Sequence, residues 1–269
     1  MPVPTPWWRQ TARYCLETEA HVHAFAVAAG VLLSFFPFLI VMVSLCRYVF
    51  HWPAAVNAIY LALNDFFPDE IGRFVRRNLQ ATVESRGPFQ LASVVLLLVT
   101  ANGIFEPLEV ALNRIWHAAR NRTYFRNQLV SLGLIFICGS LALLSFILTA
   151  INQQALASLF DVRSRLPLWM GLLFFKVAAV PISILALFFM YWLLPNRKIA
   201  PVRVVPVAIL VGLALELLKY VNLVTWPLLK SKLLKEYGPF HISVWILLSS
   251  FAAAMIILAG AEWSARRDI

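Results

Sequence analysis

The sequence predicts an all-α fold: a polytopic membrane helix bundle of about six transmembrane helices, with short amphipathic helices in the first extracytoplasmic loop. Three observations predict it. The 269 residues are 61% hydrophobic and 13% charged, and the mean hydropathy is +0.77, whereas soluble domains run nearer half apolar and about a quarter charged. A soluble chain of this mass keeps too much surface to bury so much apolar material. The polar residues gather between long apolar runs, and a spanning helix needs roughly 20 such residues in a row.

A single transmembrane domain, residues 1–269, follows, with spans expected at about 24–50, 90–112, 128–151, 168–194, 202–222 and 240–263. The first carries Pro37 mid-span, which removes one backbone donor and predicts a packing kink. From His51 to Pro88 the chain turns amphipathic: Val56, Ile59, Tyr60, Leu63 and Phe67, then Ile71, Phe74, Val75 and Leu79, recur at helical spacing. Pro68 separates two helices that are too polar to span and are expected on the membrane surface or capping the bundle. The second span meets Asn102-Gly103 and then Pro107, a combination that predicts a break or hinge at about membrane depth. The third span is free of charge, and the fourth holds Lys176 and Pro181. The fifth has Pro206 in its first turn, as helices prefer, and contains Glu216; the sixth ends on Gly260-Ala261-Glu262-Trp263. A polar-rich N-terminus with Glu17 and Glu19, followed by an apolar run too long for a signal-peptide core, predicts no cleaved leader.

The net charge is +10. In a membrane protein that excess flanks spans and meets anionic headgroups, and no aromatic-interleaved basic patch points to nucleic acid. Basic residues divide almost evenly between the two sides, but Arg114, Arg120, Arg122 and Arg126 crowd one short connection, and Arg197, Lys198 and Arg203 another. Short loops dominate the positive-inside rule, so both termini are expected in the cytoplasm. Cys15, Cys46 and Cys138 form no Cys-x-x-Cys pair and predict no disulfide framework.

Three segments resemble the YihY/BrkB family of bacterial inner-membrane proteins over nearly the whole chain. They are Ala24-Phe25-Ala26 with Ser34-Phe35-Phe36-Pro37-Phe38; Ala111-Leu112-Asn113-Arg114-Ile115-Trp116; and a C-terminal set of Leu194-Pro195-Asn196-Arg197, Glu216-Leu217-Leu218-Lys219, Tyr237-Gly238 and Gly260-Ala261-Glu262. The resemblance implies six spans, cytoplasmic termini in the bacterial inner membrane, and a loose link to envelope integrity, serum resistance and lipid handling. Many members carry an old label as a tRNA-processing ribonuclease. That chemistry needs grouped metal ligands or acid–base pairs outside the bilayer, and His21, His23, His51, His117 and His241 are scattered without acidic partners at ligand spacing. No enzyme, metal or cofactor is expected. At Glu106 and Glu109 the resemblance implies an uncharged polar or basic residue, so these carboxylates are a departure.

An ionisable group inside a span costs roughly 2.5–3.5 kcal/mol and must pair, face water or be neutral. Lys176 is the deepest such charge, and Glu216, Glu106 and Glu109 are its candidate partners. These four, with Asn102 and Glu262, are the expected buried polar network or substrate path; a buried pair that fixes helix register is the alternative. Glu216 stands one helical turn before Lys219 and can equally form an interfacial pair. Asn113, Arg114, Arg120, Arg122 and Arg126 are the candidate headgroup contacts. Two function classes remain: a transporter or flippase-like protein for a lipid or other amphipathic molecule, and a non-transporting scaffold for envelope machinery. The chain has no ATP-binding P-loop. Membrane lipids and envelope lipid-transport proteins are the expected partners, and nucleic acid is not. A polar cavity open to one side favours the first class, and a dry bundle with Lys176 sealed in a salt bridge the second.

Overall fold

The computed structural model describes residues 7–16, 18–66, 69–84, 88–118, 122–159 and 180–266. Nearly all of them are helical, and no strand occurs among them. The helices are α1 (Trp7–Leu16), α2 (Thr18–Ser44), α3 (Pro53–Phe66), α4 (Asp69–Glu84), α5 (Pro88–Ile115) and α6 (Tyr124–Leu159). They continue with α7 (Val180–Leu193), α8 (Pro201–Tyr237) and α9 (His241–Ala265). Three stretches of the described residues are long and apolar enough to cross a bilayer: Glu19–Val49, Phe125–Ser145 and Pro201–Ala265. Their outward faces carry exposed Leu33, Leu129, Phe136, Ile209, Leu213 and Leu217, which water would penalise and lipid does not. The protein is an all-α membrane bundle.

The chain forms two compact units, and each divides the long helices between its segments. One holds Met1–Phe35, Leu97–Ile135 and Leu187–Ile269; the other holds Phe36–Leu96 and Phe136–Ala186.

In the second unit, α2 runs through Pro37 and ends in a π-helical turn, Leu45–Val49. Phe50 N–H closes that turn on the Leu45 carbonyl at 3.0 Å. The amphipathic helices α3 and α4 fold against each other. Val75, Leu79 and Val83, each four residues from the next, are fully buried, as is Ile59. The apolar stripes expected at the membrane surface therefore close a helical hairpin. Tyr48 Oη ties it to the π turn by donating to the Val83 carbonyl at 3.0 Å. The Arg76 guanidinium lies over the Tyr60 ring at 5.3 Å, which keeps the basic side of α4 outward. Gly139 of α6 sits 3.5 Å from the Phe38 ring.

In the first unit, the break expected at Asn102-Gly103 and Pro107 does not form, and α5 is continuous. Pro107 lacks only the N–H that would reach the Gly103 carbonyl. That carbonyl is turned onto Gly30 of α2, where a Cβ would collide with its oxygen. The missing side chain at Gly30 lets the backbones touch, and Cα–H groups can then approach a carbonyl that has lost its ordinary donor. Gly103 marks a close helix crossing rather than a hinge. Ser34 Oγ donates back to the Gly30 carbonyl at 2.7 Å, so the hydroxyl is satisfied inside α2.

The helices α8 and α9 make an antiparallel hairpin. Trp226 meets Trp245 edge to face at 5.3 Å between ring centroids, Gly260 accommodates Val211, and Ser264 Oγ reaches the Arg203 carbonyl at 3.5 Å. The reversal is the short 3-10 turn Gly238–Phe240, opened by Gly238 at φ +53°, a conformation glycine adopts without steric cost. Residues 223–237, expected between spans, instead extend α8, because Pro227 costs one donor while apolar residues continue on both sides of it. A tilted ring contact of Phe25 with Phe251, 4.3 Å between centroids, joins α2 to α9.

The Gly30–Gly103 crossing is asymmetric. A Cβ at Gly103 meets Gly30 only at 3.5 Å, ordinary contact, whereas one at Gly30 strikes backbone. Gly30→Leu is expected to abolish the monodisperse protein and Gly30→Ala to lower its melting temperature in detergent, while Gly103→Ala stays near wild type. Equal losses at both positions, read by fluorescence-detected chromatography after heating, would overturn this account of the crossing.

Candidate functional site

Helix α5 carries Glu109 and, one turn on, the adjacent Asn113 and Arg114, and ends at Ile115. Its last carbonyls need donors, since nothing continues the helix to supply them. Ala118 N–H bonds the Asn113 carbonyl at 2.7 Å and His117 N–H the Arg114 carbonyl at 3.2 Å, the paired bonds of a Schellman cap. His117 occupies the left-handed position at φ +50°, where glycine is usual.

Beyond the cap, two connections fasten to each other. Arg122 lies on the segment leading to α6, and its guanidinium sits at the C-terminus of α7. Nη1 donates to the Leu194 carbonyl at 2.6 Å, and Nη2 donates to the carbonyls of Leu193 at 2.9 Å and Pro195 at 3.2 Å. A cation is favoured at a helix C-terminus, and the planar fork reaches several oxygens at once. Glu109, 2% exposed, balances the charge with Oε1 at 3.8 Å from Arg122 Nη1, and it accepts from Asn113 Nδ2 at 3.3 Å. Burial pushes the Arg122 guanidinium down from its ordinary pKa, while Glu109 opposes that and Arg126 adds to it; the group still stays charged at any physiological pH. Asn113 Oδ1 accepts from Asn196 N–H at 2.6 Å, and Arg197 Nη1 donates to the Trp116 carbonyl at 2.5 Å. Tyr191, fully buried on α7, donates to the Ile257 carbonyl of α9 at 2.7 Å and meets the Trp116 ring at 6.0 Å.

The polar network holds the end of α5, and beside that end opens a cavity of about 310 Å³. Four helices line it. Helix α1, packed on α9, gives Tyr14, and α2 gives Glu19 and His23; α5 and its cap give Arg114 and His117; α9 and its final turn give Glu262 and Arg266. The charges are paired: Arg114 with Glu19, and Arg266 with Glu262 one turn earlier. Side-chain exposure separates the pairs, at 66% and 57% for the first against 41% and 11% for the second. Burial and then the Glu262 carboxylate push the nearby Cys15 thiol up, so it remains protonated rather than a reactive thiolate.

Of the residues expected in a polar path, Glu109 and Glu262 are buried and Glu106 is exposed. Glu216 pairs with Lys219 Nζ at 3.3 Å on one face of α8. Lys176 lies outside the described residues, as does the side chain of Asn102. Among the expected headgroup contacts, Arg114 opens into the cavity and Arg126 is exposed, while Arg120 lies outside the described residues. Asn113 and Arg122 are instead committed to the network between the two connections. Sequence reasoning missed Glu19, His23, His117 and Arg266. The signal available was the one-turn spacing of Glu19 to His23 and of Glu262 to Arg266; only tertiary packing brings the two pairs together.

The fold and this cavity define an α-helical membrane protein with a charged recess at one end of apolar helices. The chain belongs to the family described as virulence factor BrkB, whose model matches residues 13–268. It is 27% identical over 226 residues to a UPF0761 membrane protein of Pseudoalteromonas translucida, covering 79% of this chain and 70% of that protein. A UPF0761 membrane protein of Chlorobium chlorochromatii is 25% identical over 257 residues, 92% of this chain and 56% of that one. One from Acinetobacter baylyi is 26% identical over 225 residues, 79% of this chain and 50% of its own length. The chain thus spans about half the length of several relatives. No solved structure matches it.

Two substitutions test the network. Arg122→Ala leaves Glu109 buried beside unpaired carbonyls and is expected to destabilise by about 3–5 kcal/mol, with Glu109→Gln in the same chain recovering part of the loss in denaturant titrations. At the cap, His117→Gly should keep or raise the melting temperature, since glycine takes the left-handed position freely, whereas His117→Val should lower it. A His117→Gly protein that melts like His117→Val would contradict the cap geometry.

Proposed function

We propose that this BrkB-family chain is a transporter or flippase-like protein of the bacterial inner membrane, acting on a lipid or another amphipathic envelope molecule. The observation that carries the reading is the recess lined by Glu19, Arg114, Glu262 and Arg266 at the end of helices whose flanks are apolar and exposed. Charged groups are costly next to hydrocarbon, and where they line a cavity they mark a path for something polar. A headgroup enters the recess while its chains stay along the helix sides. Movement is passive, ion-coupled or driven by a partner protein. Both termini lie in the cytoplasm in this reading, which puts the recess, formed where α1 and the end of α9 meet, on the cytoplasmic side.

Reconstitution in liposomes tests it. Dithionite quenching of a phosphatidylethanolamine labelled on one acyl chain, its headgroup left free, should run past the outer-leaflet half in proteoliposomes, and an Arg114→Gln, Arg266→Gln chain should slow that second phase about tenfold, the equivalent of ~1.4 kcal/mol of barrier. Quenching that stops at the outer leaflet with wild-type protein would remove the transport reading and leave the scaffold. For orientation, a fluorescent protein fused after Ile269 should be bright in cells, and alkaline phosphatase at the same point inactive.

A further inference from the structure

Among the described residues the charges of the recess are balanced: Arg114 and Arg266 stand against Glu19 and Glu262, and the partners are already in contact. A simple anion attracted to the two guanidinium groups meets the carboxylates already in contact with them, and a simple cation meets the converse. Neither gains much from entering, because opposed fields cancel in a partly solvated site. A ligand that carries both signs meets no such cancellation. Its phosphate can take the place of Glu19 on Arg114, and its ammonium can take a carboxylate in return.

We propose that this recess binds an aminophosphate zwitterion, a phosphate and an ammonium a few bonds apart, as in an ethanolamine-phosphate headgroup. The assignment rests on the reading of the chain as a handler of amphiphiles and names the headgroup class. Three features support it. The Arg114–Glu19 pair is more than half exposed on both sides, and such pairs hold by only about 0–1 kcal/mol, so an incoming phosphate exchanges with Glu19 at little cost. Glu262 is nearly buried, at 11% side-chain exposure, and its carboxylate, already paired with Arg266, can share itself with an ammonium that arrives together with a phosphate for the guanidinium groups. Tyr14, His23 and His117 add ring and hydroxyl groups able to hydrogen-bond phosphate oxygens.

Size and surroundings agree with a headgroup rather than a whole lipid. A cavity of about 310 Å³ is at the small end of ligand sites, which run from roughly 300 to 1,000 Å³, and it has no room for acyl chains. Outside it, α2 leaves Val22 60% and Phe25 50% exposed, both within one turn of His23. These give chains an apolar surface to follow. The same headgroup chemistry also exists free in solution as phosphoethanolamine, which lacks that apolar contribution.

The test uses the purified full-length chain. Binding is measured by native mass spectrometry and by thermal shift against phosphatidylethanolamine, phosphatidylglycerol with matched chains, and soluble O-phosphoethanolamine. Wild type should prefer the ethanolamine lipid over the glycerol lipid by about tenfold, the equivalent of ~1.4 kcal/mol, and Glu262→Gln should erase that preference. Arg114→Gln should weaken both lipids. Should Glu262→Gln fail to fold, Glu19→Gln supplies the second arm and should reduce the preference without abolishing binding. Soluble phosphoethanolamine as strong as the lipid would assign the recess to the free compound and overturn the lipid source. Preference for phosphatidylglycerol, or binding indifferent to Arg114 and Glu262, would overturn the zwitterion assignment even with flipping intact. Retained ethanolamine selectivity without any flipping would instead remove transport and leave this site standing.

Discussion

One buried guanidinium organises the charged end of the bundle. Arg122 holds three successive carbonyls at the end of α7 and is balanced by Glu109 from inside α5. An arginine buried this far needs its charge and most of its donors answered, and here Nη1 and Nη2 are bonded while the buried Nε–H has no partner among the described residues. Answering them sets where the α7 terminus lies against α5. Asn113 and Arg197 then fasten the same two connections, and the register so set fixes how α5 ends. The Schellman cap, and with it the directions of Arg114 and His117 into the recess, follows from that ending.

A second constraint acts in the apolar part of the same unit. Without hydrophobic contrast between lipid and side chain, helices in a bilayer associate by close fit and by satisfying polar atoms. Proline at 107 releases the Gly103 carbonyl, and glycine at 30 lets α2 come close enough to cover it. A residue that is usually disruptive inside a helix thereby supplies the reason for a crossing. Gly260 makes a close fit of another kind between α9 and its neighbours: Val211 fills the space its Cβ would take, and beside it Tyr191 Oη donates to the Ile257 carbonyl.

Much of the fold was legible in the sequence because a bilayer demands long apolar helices and punishes isolated charge. The all-α bundle, the two helices on either side of Pro68 and the family resemblance were all read from pattern. Continuity was not. Asn102-Gly103, Pro107 and Pro227 carry local preferences for interruption, and tertiary contacts unavailable to a one-dimensional reading outweigh them. The recess was half legible: Arg114 and Glu262 stood out because they end apolar runs. Glu19, His23 and His117 did not, since nothing in their spacing tells that α2 and the cap of α5 converge. The internal bonds of Arg122 were not legible for a related reason. A basic residue in a short connection suggests solvent or headgroups, and only a helix terminus more than 70 residues later makes it an internal group.

That separation has a consequence for biogenesis. Arg122 can meet Glu109 as soon as the first connection is made, but the carbonyls it grips lie 71 to 73 residues downstream. At about 5–20 residues per second of synthesis, several seconds pass in which a guanidinium beside the bilayer lacks its acceptors. During that interval the nascent chain depends on lipid phosphate, water or the insertion machinery to shield Arg122. A chain stopped before Leu193 would keep that need permanently, and quality-control proteases would have a reason to recognise it.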